Sequence, residues 1–143
     1  MAEETHVLFG GKLPGRAALN RAMKEFGFPL AISPGVTSLE GHSGYLPMTL
    51  RREETGVEFD IFEGRAAVEE LAGKDVDPRF ERRGSFRWSG DENEMLAGLC
   101  AAAALAKLVD GRVLDEAENR LLTVDQAVER APRDSQSRLA AAG

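Results

Sequence analysis

A chain of 143 residues fits one domain, and folding at this size hides roughly two-thirds of the surface that the unfolded chain exposes. Hydrophobic residues at 43% and charged residues at 29% exclude a disordered or fibrous protein, and the single cysteine, Cys100, excludes an intrachain disulfide and leaves no thiolate cage for a metal. The net charge of −6 repels phosphate backbones on average, which argues against nucleic acid and for a basic protein as partner.

The chain opens MAEETHV, with two glutamates and no apolar run, so no secretory leader is expected and the cytoplasm is the default compartment. His6-Val7-Leu8-Phe9 predicts a first strand, stopped at Gly10-Gly11. Residues 16–26 repeat apolar side chains at Ala18, Leu19, Ala22, Met23 and Phe26, the spacing of a helical stripe against a core, and Gly27 stands where a left-handed cap would sit. FPLAI at 28–32 predicts a strand closed by Ser33-Pro34-Gly35, and a loop follows to about Tyr45.

A hairpin comes next. Leu46, Met48 and Leu50 alternate with polar or turn residues, as do Val57, Phe59 and Ile61. With Glu53-Glu54-Thr55-Gly56 as the loop, Leu50 is expected opposite Phe59 and Met48 opposite Ile61, with Arg51–Glu58 and Thr49–Asp60 on the other side. Residues 65–71 predict a short helix. Residues 80–88 predict a strand with Phe80, Arg82, Gly84, Phe86 and Trp88 on one face, where Arg82 is out of place unless Gly84 marks a bulge.

Asp91 followed by Glu94 resembles a capping box, and a helix is expected over 95–109. No charged side chain interrupts it from Met95 to Ala106, but those twelve residues are too few to cross a bilayer, so the helix is read as buried. Gly98 and the alanines at 101–104 leave its surface low. Arg112-Val113-Leu114 predicts a brief strand, and Thr123 with Gln126 starts a last helix through Arg130. The element order predicts a single α+β domain over 1–131, a mostly antiparallel sheet with helices packed on one face, and a flexible tail is expected over residues 132–143.

GHSGYLPM at 41–48 sets one of only two histidines beside a serine between glycines. A nucleophile elbow needs glycine two residues after the serine and a helix beyond; Tyr45 and a strand stand there instead. The better reading is a glycine-shaped loop that offers His42 and Tyr45 for contacts. GGKLPG at 10–15 matches neither phosphate-loop spacing and reads as a turn ahead of the first helix. No cofactor and no metal site is expected, and Cys100 reads as a small core residue. Glu53, Glu54, Glu58, Asp60 and Glu63 gather on the hairpin, either as a solvated face or as an acidic recognition surface, with the basic run Arg79, Arg82, Arg83 and Arg87 available to pair with them.

The stretch FRWSGDENEMLAGLCAAAALAKLVDGRVLDEAENRLLTVDQAVERA at 86–131 resembles the C-terminal part of small bacterial proteins of immunity or uncharacterised type encoded beside toxins. The shared pattern is an aromatic strand, an acidic turn, an alanine-rich helix ending in Asp-Gly, a short strand and a final helix. The resemblance implies a protein without catalytic residues. The leading expectation is therefore a non-enzymatic, cytoplasmic, acidic binding module. It would neutralise a toxin or other basic effector by blocking its active cleft, with His42, Tyr45, Glu53, Glu54, Glu58 and Asp60 as contacts. Two alternatives stay open. One is a small-molecule-binding protein or enzyme using His42 with Asp60 or Glu58. The other is a homodimer packed through the alanine-faced helix, in place of a monomer.

Overall fold

The computed structural model describes residues 3–36, 38–115 and 119–134, the last three of these by backbone alone. In chain order the elements are β1 (Glu3–Phe9), α1 (Arg16–Glu25), β2 (Leu30–Ile32), β3 (Gly44–Leu50), β4 (Glu53–Glu63), α2 (Arg65–Ala72), β5 (Arg82–Trp88), α3 (Glu92–Val109), β6 (Arg112–Asp115), β7 (Arg120–Leu122) and α4 (Val124–Asp134). The strands form one seven-stranded antiparallel sheet in the order β2-β3-β4-β5-β1-β6-β7. This is the α+β architecture expected from the element order. No helix among the described residues is long and apolar enough to cross a membrane.

Alternation along each strand divides the sheet into two faces. Inward point Leu46, Met48, Val57, Phe59, Phe86, Val7, Phe9 and Val113, all buried in the main core with α1, α3 and α4. Leu8 points the other way and joins Val68, Val76 and Phe80 in a smaller cluster, so among the described residues α2 is the one helix on the outer face. Arg65, the first residue of α2, ties that helix to the loop before β5. Its guanidinium donates to the carbonyls of Asp77, Phe80 and Val76 at 2.6, 2.9 and 2.7 Å and to Glu69.

Helix α3 is the centre of the inner layer. Asp91 caps it by accepting from the amides of Asn93 and Glu94. Every residue from Leu96 to Ala106 is buried within the one chain, which leaves that alanine face no bare stripe for a second copy. Burial also pushes the Cys100 thiol above its ordinary value, in keeping with a core side chain. The Thr123–Gln126 capping box forms in both directions at the start of α4, at 2.9 and 3.2 Å. Helix α4 continues by backbone to Asp134, three residues past Ala131, and residues 135–143 of the expected tail lie outside the described residues.

The hairpin departs from the expected register. Leu50 pairs with Glu53, Met48 with Thr55 and Leu46 with Val57, so the turn is Arg51-Arg52 and not 53–56. Both arginines have positive φ, 47° and 75°, the backbone of the two-residue turn whose twist matches that of the strands. Non-glycine residues there cost about 1–2 kcal/mol each. The longer ladder offsets this by pairing residues 48–50 with 53–55 and burying Thr55 and Gly56. The displacement is an even number of residues, so the inward and outward sets are those the alternation predicts.

Gly84 is regular strand, not a bulge. The Phe59 ring lies over it, 3.1 Å from where a Cβ would stand. Gly98 is tighter still: a Cβ there would lie 2.6 Å from the Trp88 ring. Alanine at 98 gains about 1 kcal/mol of helix propensity but overpacks a buried contact, which costs about 1–3 kcal/mol. Gly98→Ala is therefore expected to lower unfolding stability by about 1 kcal/mol or more in urea titration; a more stable variant would contradict this seating of α3.

Candidate functional site: the open face of the sheet

Three helices fill the inner face, so groups able to meet a partner are concentrated on the outer one. There the register sets side chains in layers across the strands. Tyr45, Glu58, Arg87 and Glu4 form one layer, Asp60, Ser85 and His6 the next, and Phe62, Arg83 and Leu8 a third, of which α2 covers Leu8 and Arg83 and leaves Phe62 41% exposed. Glu54 extends the row of β4 carboxylates toward the hairpin tip, opposite Thr49.

Tyr45 is 52% exposed, yet its hydroxyl end rests over Gly56, within 2.6 Å of where a Cβ would stand. Only glycine leaves that space. Burial of this end, then the carboxylates Glu94, Glu54 and Glu58, pushes the phenol above its ordinary value. Negative charge thus converges on an exposed aromatic ring. Beside it lies a shallow pocket of about 250 Å³ lined by Tyr45, Glu58, Arg87, Trp88 and Glu94.

The six residues expected as contacts do not form one cluster. Tyr45, Glu54, Glu58 and Asp60 share the outer face. Glu53 belongs to the inward set and turns toward α3, where Asn93 donates to it at 3.4 Å. His42 lies beside the inward-facing Phe59, ring centroids 6.2 Å apart, and its Nε2 is 3.2 Å from the Gly44 carbonyl. Asp60 accepts from the Ser43 hydroxyl at 2.7 Å and the Gly44 amide at 3.2 Å. No hydrogen bond joins His42 to Asp60 or Glu58 among the described residues, and Ser43 serves to pin its loop to β4. The glycines of that loop have positive φ, 75° at Gly41 and 91° at Gly44, which explains the motif conformationally.

Two groupings escape sequence reading because only cross-strand register creates them. The first is a clamp. Arg82 points inward at the end of the sheet, its guanidinium 5.2 Å from the centroid of the Phe9 ring, and pairs with Glu40 at 2.7 Å and Glu63 at 2.8 Å while donating to the Gly11 carbonyl. Glu40 also accepts from the Leu13 amide at 3.1 Å. The GGKLPG turn and the 38–42 loop are thereby tied to β5, which accounts for the one charged side chain that seemed misplaced. The second is a polar group on the outer face: buried His6, with Nδ1 2.7 Å from Ser85 Oγ and Nε2 3.4 Å from Glu4. A pocket of about 220 Å³ opens beside it against α2, lined also by Asp60, Glu70, Arg83 and Arg87. Among the described residues no three His, Cys, Asp or Glu groups are placed to hold a metal.

The clamp makes stability depend on pH. Hydrogen bonds from Arg82, then from Leu13, hold the Glu40 carboxyl at about 2, below its ordinary 4.5. A depressed folded value means that the unfolded chain binds the proton more readily, so this contribution is complete above pH 4.5 and is lost as pH falls toward 2. Glu40 is partly open to solvent, and screening limits the contribution to about 1 kcal/mol. Glu40→Gln is expected to be less stable than the parent by that amount at pH 7, with the gap closing between pH 4.5 and 2 in urea titrations. A gap independent of pH would remove the clamp from the account.

The chain matches no protein family model, no curated protein and no solved structure, so its function has to be read from this geometry.

Proposed function

We propose that the protein is a non-enzymatic binding module whose open sheet face docks a basic protein, as an immunity or inhibitor protein docks a toxin or effector. The observation that carries this reading is the row Glu54, Glu58 and Asp60 along β4, outside the helical layer and flanked by the half-exposed Tyr45 ring. Glu58 and Asp60 lie where β4 is paired on both sides and Glu54 where it is paired with β3, so these carboxylates are held in position and steer a cationic partner without much ordering cost on binding. Tyr45 supplies a large rigid contact, the kind of residue that dominates interface energies. The pocket beside it is lined by Tyr45, Trp88, Glu58 and Glu94 with Arg87, two carboxylates against one cation, which suits the stem and head of one lysine or arginine of the partner.

The edges of the sheet are poor alternatives. Strands β2 and β7 are three residues each, too short to template an added strand. Asp60, engaged by Ser43 and Gly44, contributes charge more than direct contact.

The test compares the full chain with its Glu54→Lys/Glu58→Lys variant as affinity baits in an extract of the source cells, with circular dichroism to show that both fold alike. A basic protein held by the parent and weakened at least tenfold in the variant is the expected result. A partner held equally by both would overturn the assignment of this face. Tyr45→Ala is expected to weaken the same complex by about 2 kcal/mol in titration calorimetry.

A further inference from the structure

Arg83 stands in a different electrostatic position from the other arginines of the sheet. It is only 9% exposed, and it points to the outer face beneath α2. Its guanidinium carbon lies 4.2 Å over the Phe62 ring centroid, and Nη1 donates to the Ala67 carbonyl at 3.2 Å. Its Nε is buried with no hydrogen-bond partner, and no carboxylate among the described residues stands within ion-pair distance of it. Arginine cannot shed its charge. Withdrawing that charge from water costs several kcal/mol, while a ring face and one neutral carbonyl return about 1–2 kcal/mol each. An anion is the missing partner.

The 220 Å³ pocket beside it says which anion. Its volume lies below the roughly 300 Å³ at which sites for drug-sized ligands begin, so the occupant is small. Glu4, Asp60 and Glu70 line the same pocket with Arg83, Arg87 and His6, so three carboxylates face whatever enters and oppose a phosphate dianion. A molecule with one carboxylate and one cationic group balances both sets. Ser85 adds specificity: when His6 is doubly protonated, donating from Nε2 toward Glu4 at 3.4 Å and from Nδ1 to Ser85 Oγ at 2.7 Å, the hydroxyl proton is free for an incoming oxygen.

We propose that the pocket between α2 and the outer sheet face binds a small zwitterion of the α-amino acid class, its carboxylate on Arg83 and Ser85 and its ammonium toward Asp60 and Glu70. This site adjoins the Tyr45 surface, sharing Asp60 and Arg87 with it, but does not depend on the docking reading.

The test is an amide NMR titration of the full chain with each of the twenty common amino acids, with acetate and with inorganic phosphate. At least one amino acid is expected to shift the His6, Arg83 and Ser85 amides saturably with a Kd below about 1 mM, with acetate at least tenfold weaker and phosphate inert. Ser85→Ala is expected to weaken binding about fivefold and Arg83→Gln more than tenfold. If Arg83→Gln does not fold, Arg83→Lys keeps the charge but loses the planar fork, and is expected to lose about tenfold by itself. The proposal is overturned if no amino acid at about 10 mM moves these amides, if phosphate binds more tightly than any of them, or if Arg83→Lys and Ser85→Ala bind like the parent.

Discussion

The close seat of α3 on the sheet is the constraint from which the rest of the arrangement follows. Gly98 admits the Trp88 ring and Gly84 admits the Phe59 ring, so sheet aromatics interlock with a helix whose own side chains from Ala101 to Ala104 are methyls. Alanine and glycine contribute little transferred area, at about 0.8 kcal/mol per buried methylene-sized group. What they permit is close approach, and with it dense packing of Phe59, Phe86 and Trp88, the large side chains that carry most of the burial. Helices α1 and α4 then flank α3, and the inner face is filled.

Filling one face so completely decides where recognition is available. Among the described residues the outer face carries one helix, α2, fixed by the Leu8–Val68–Val76–Phe80 cluster and by the Arg65 carbonyl contacts. It covers Arg83 and Leu8, leaves Phe62 at the rim, and leaves the Tyr45–Glu58–Arg87–Glu4 layer open. The same sheet therefore presents a roofed pocket and an open acidic surface side by side, divided by the Asp60–Ser85–His6 layer. Rigid strands hold both, which is why a partner or ligand meets groups already in position.

Much of this was legible in the sequence, and the boundary has physical causes. Local signals came through: the Asp91 cap, though Glu94 reaches the Ser89 amide and not that of Asp91, the Thr123/Gln126 capping box, the apolar run of α3, and the period-two alternation that assigned β3 and β4 side chains to faces. The hairpin loop did not, because Thr55-Gly56 reads as turn chemistry while an Arg51-Arg52 turn requires two bulky residues at positive φ. Glycine at 56 was needed for the Tyr45 ring, a contact across strands. The acidic cluster was visible as composition, but the face of Glu53 and the commitment of Asp60 to the Ser43 loop depend on geometry. His6 with Ser85, and Arg82 with Glu40 and Glu63, lie far apart in the chain and meet only once the strands are ordered.

Arg82 and Arg83 put the distinction between structural and functional charge in adjacent residues. Strand alternation sends them to opposite faces, so two identical side chains enter different surroundings. Arg82 meets two carboxylates and a carbonyl; its charge is compensated inside the chain, and its role ends with holding two loops to the sheet. Arg83 meets an aromatic face and one carbonyl, with its Nε unsatisfied. Folding alone gains nothing from that second arrangement that a methionine or leucine over Phe62 would not provide, and it bears the desolvation cost besides. A buried cation left short of its counterion beside a pocket is explained when the counterion arrives with a ligand, and the carboxylates lining the same pocket require that ligand to bring positive charge as well.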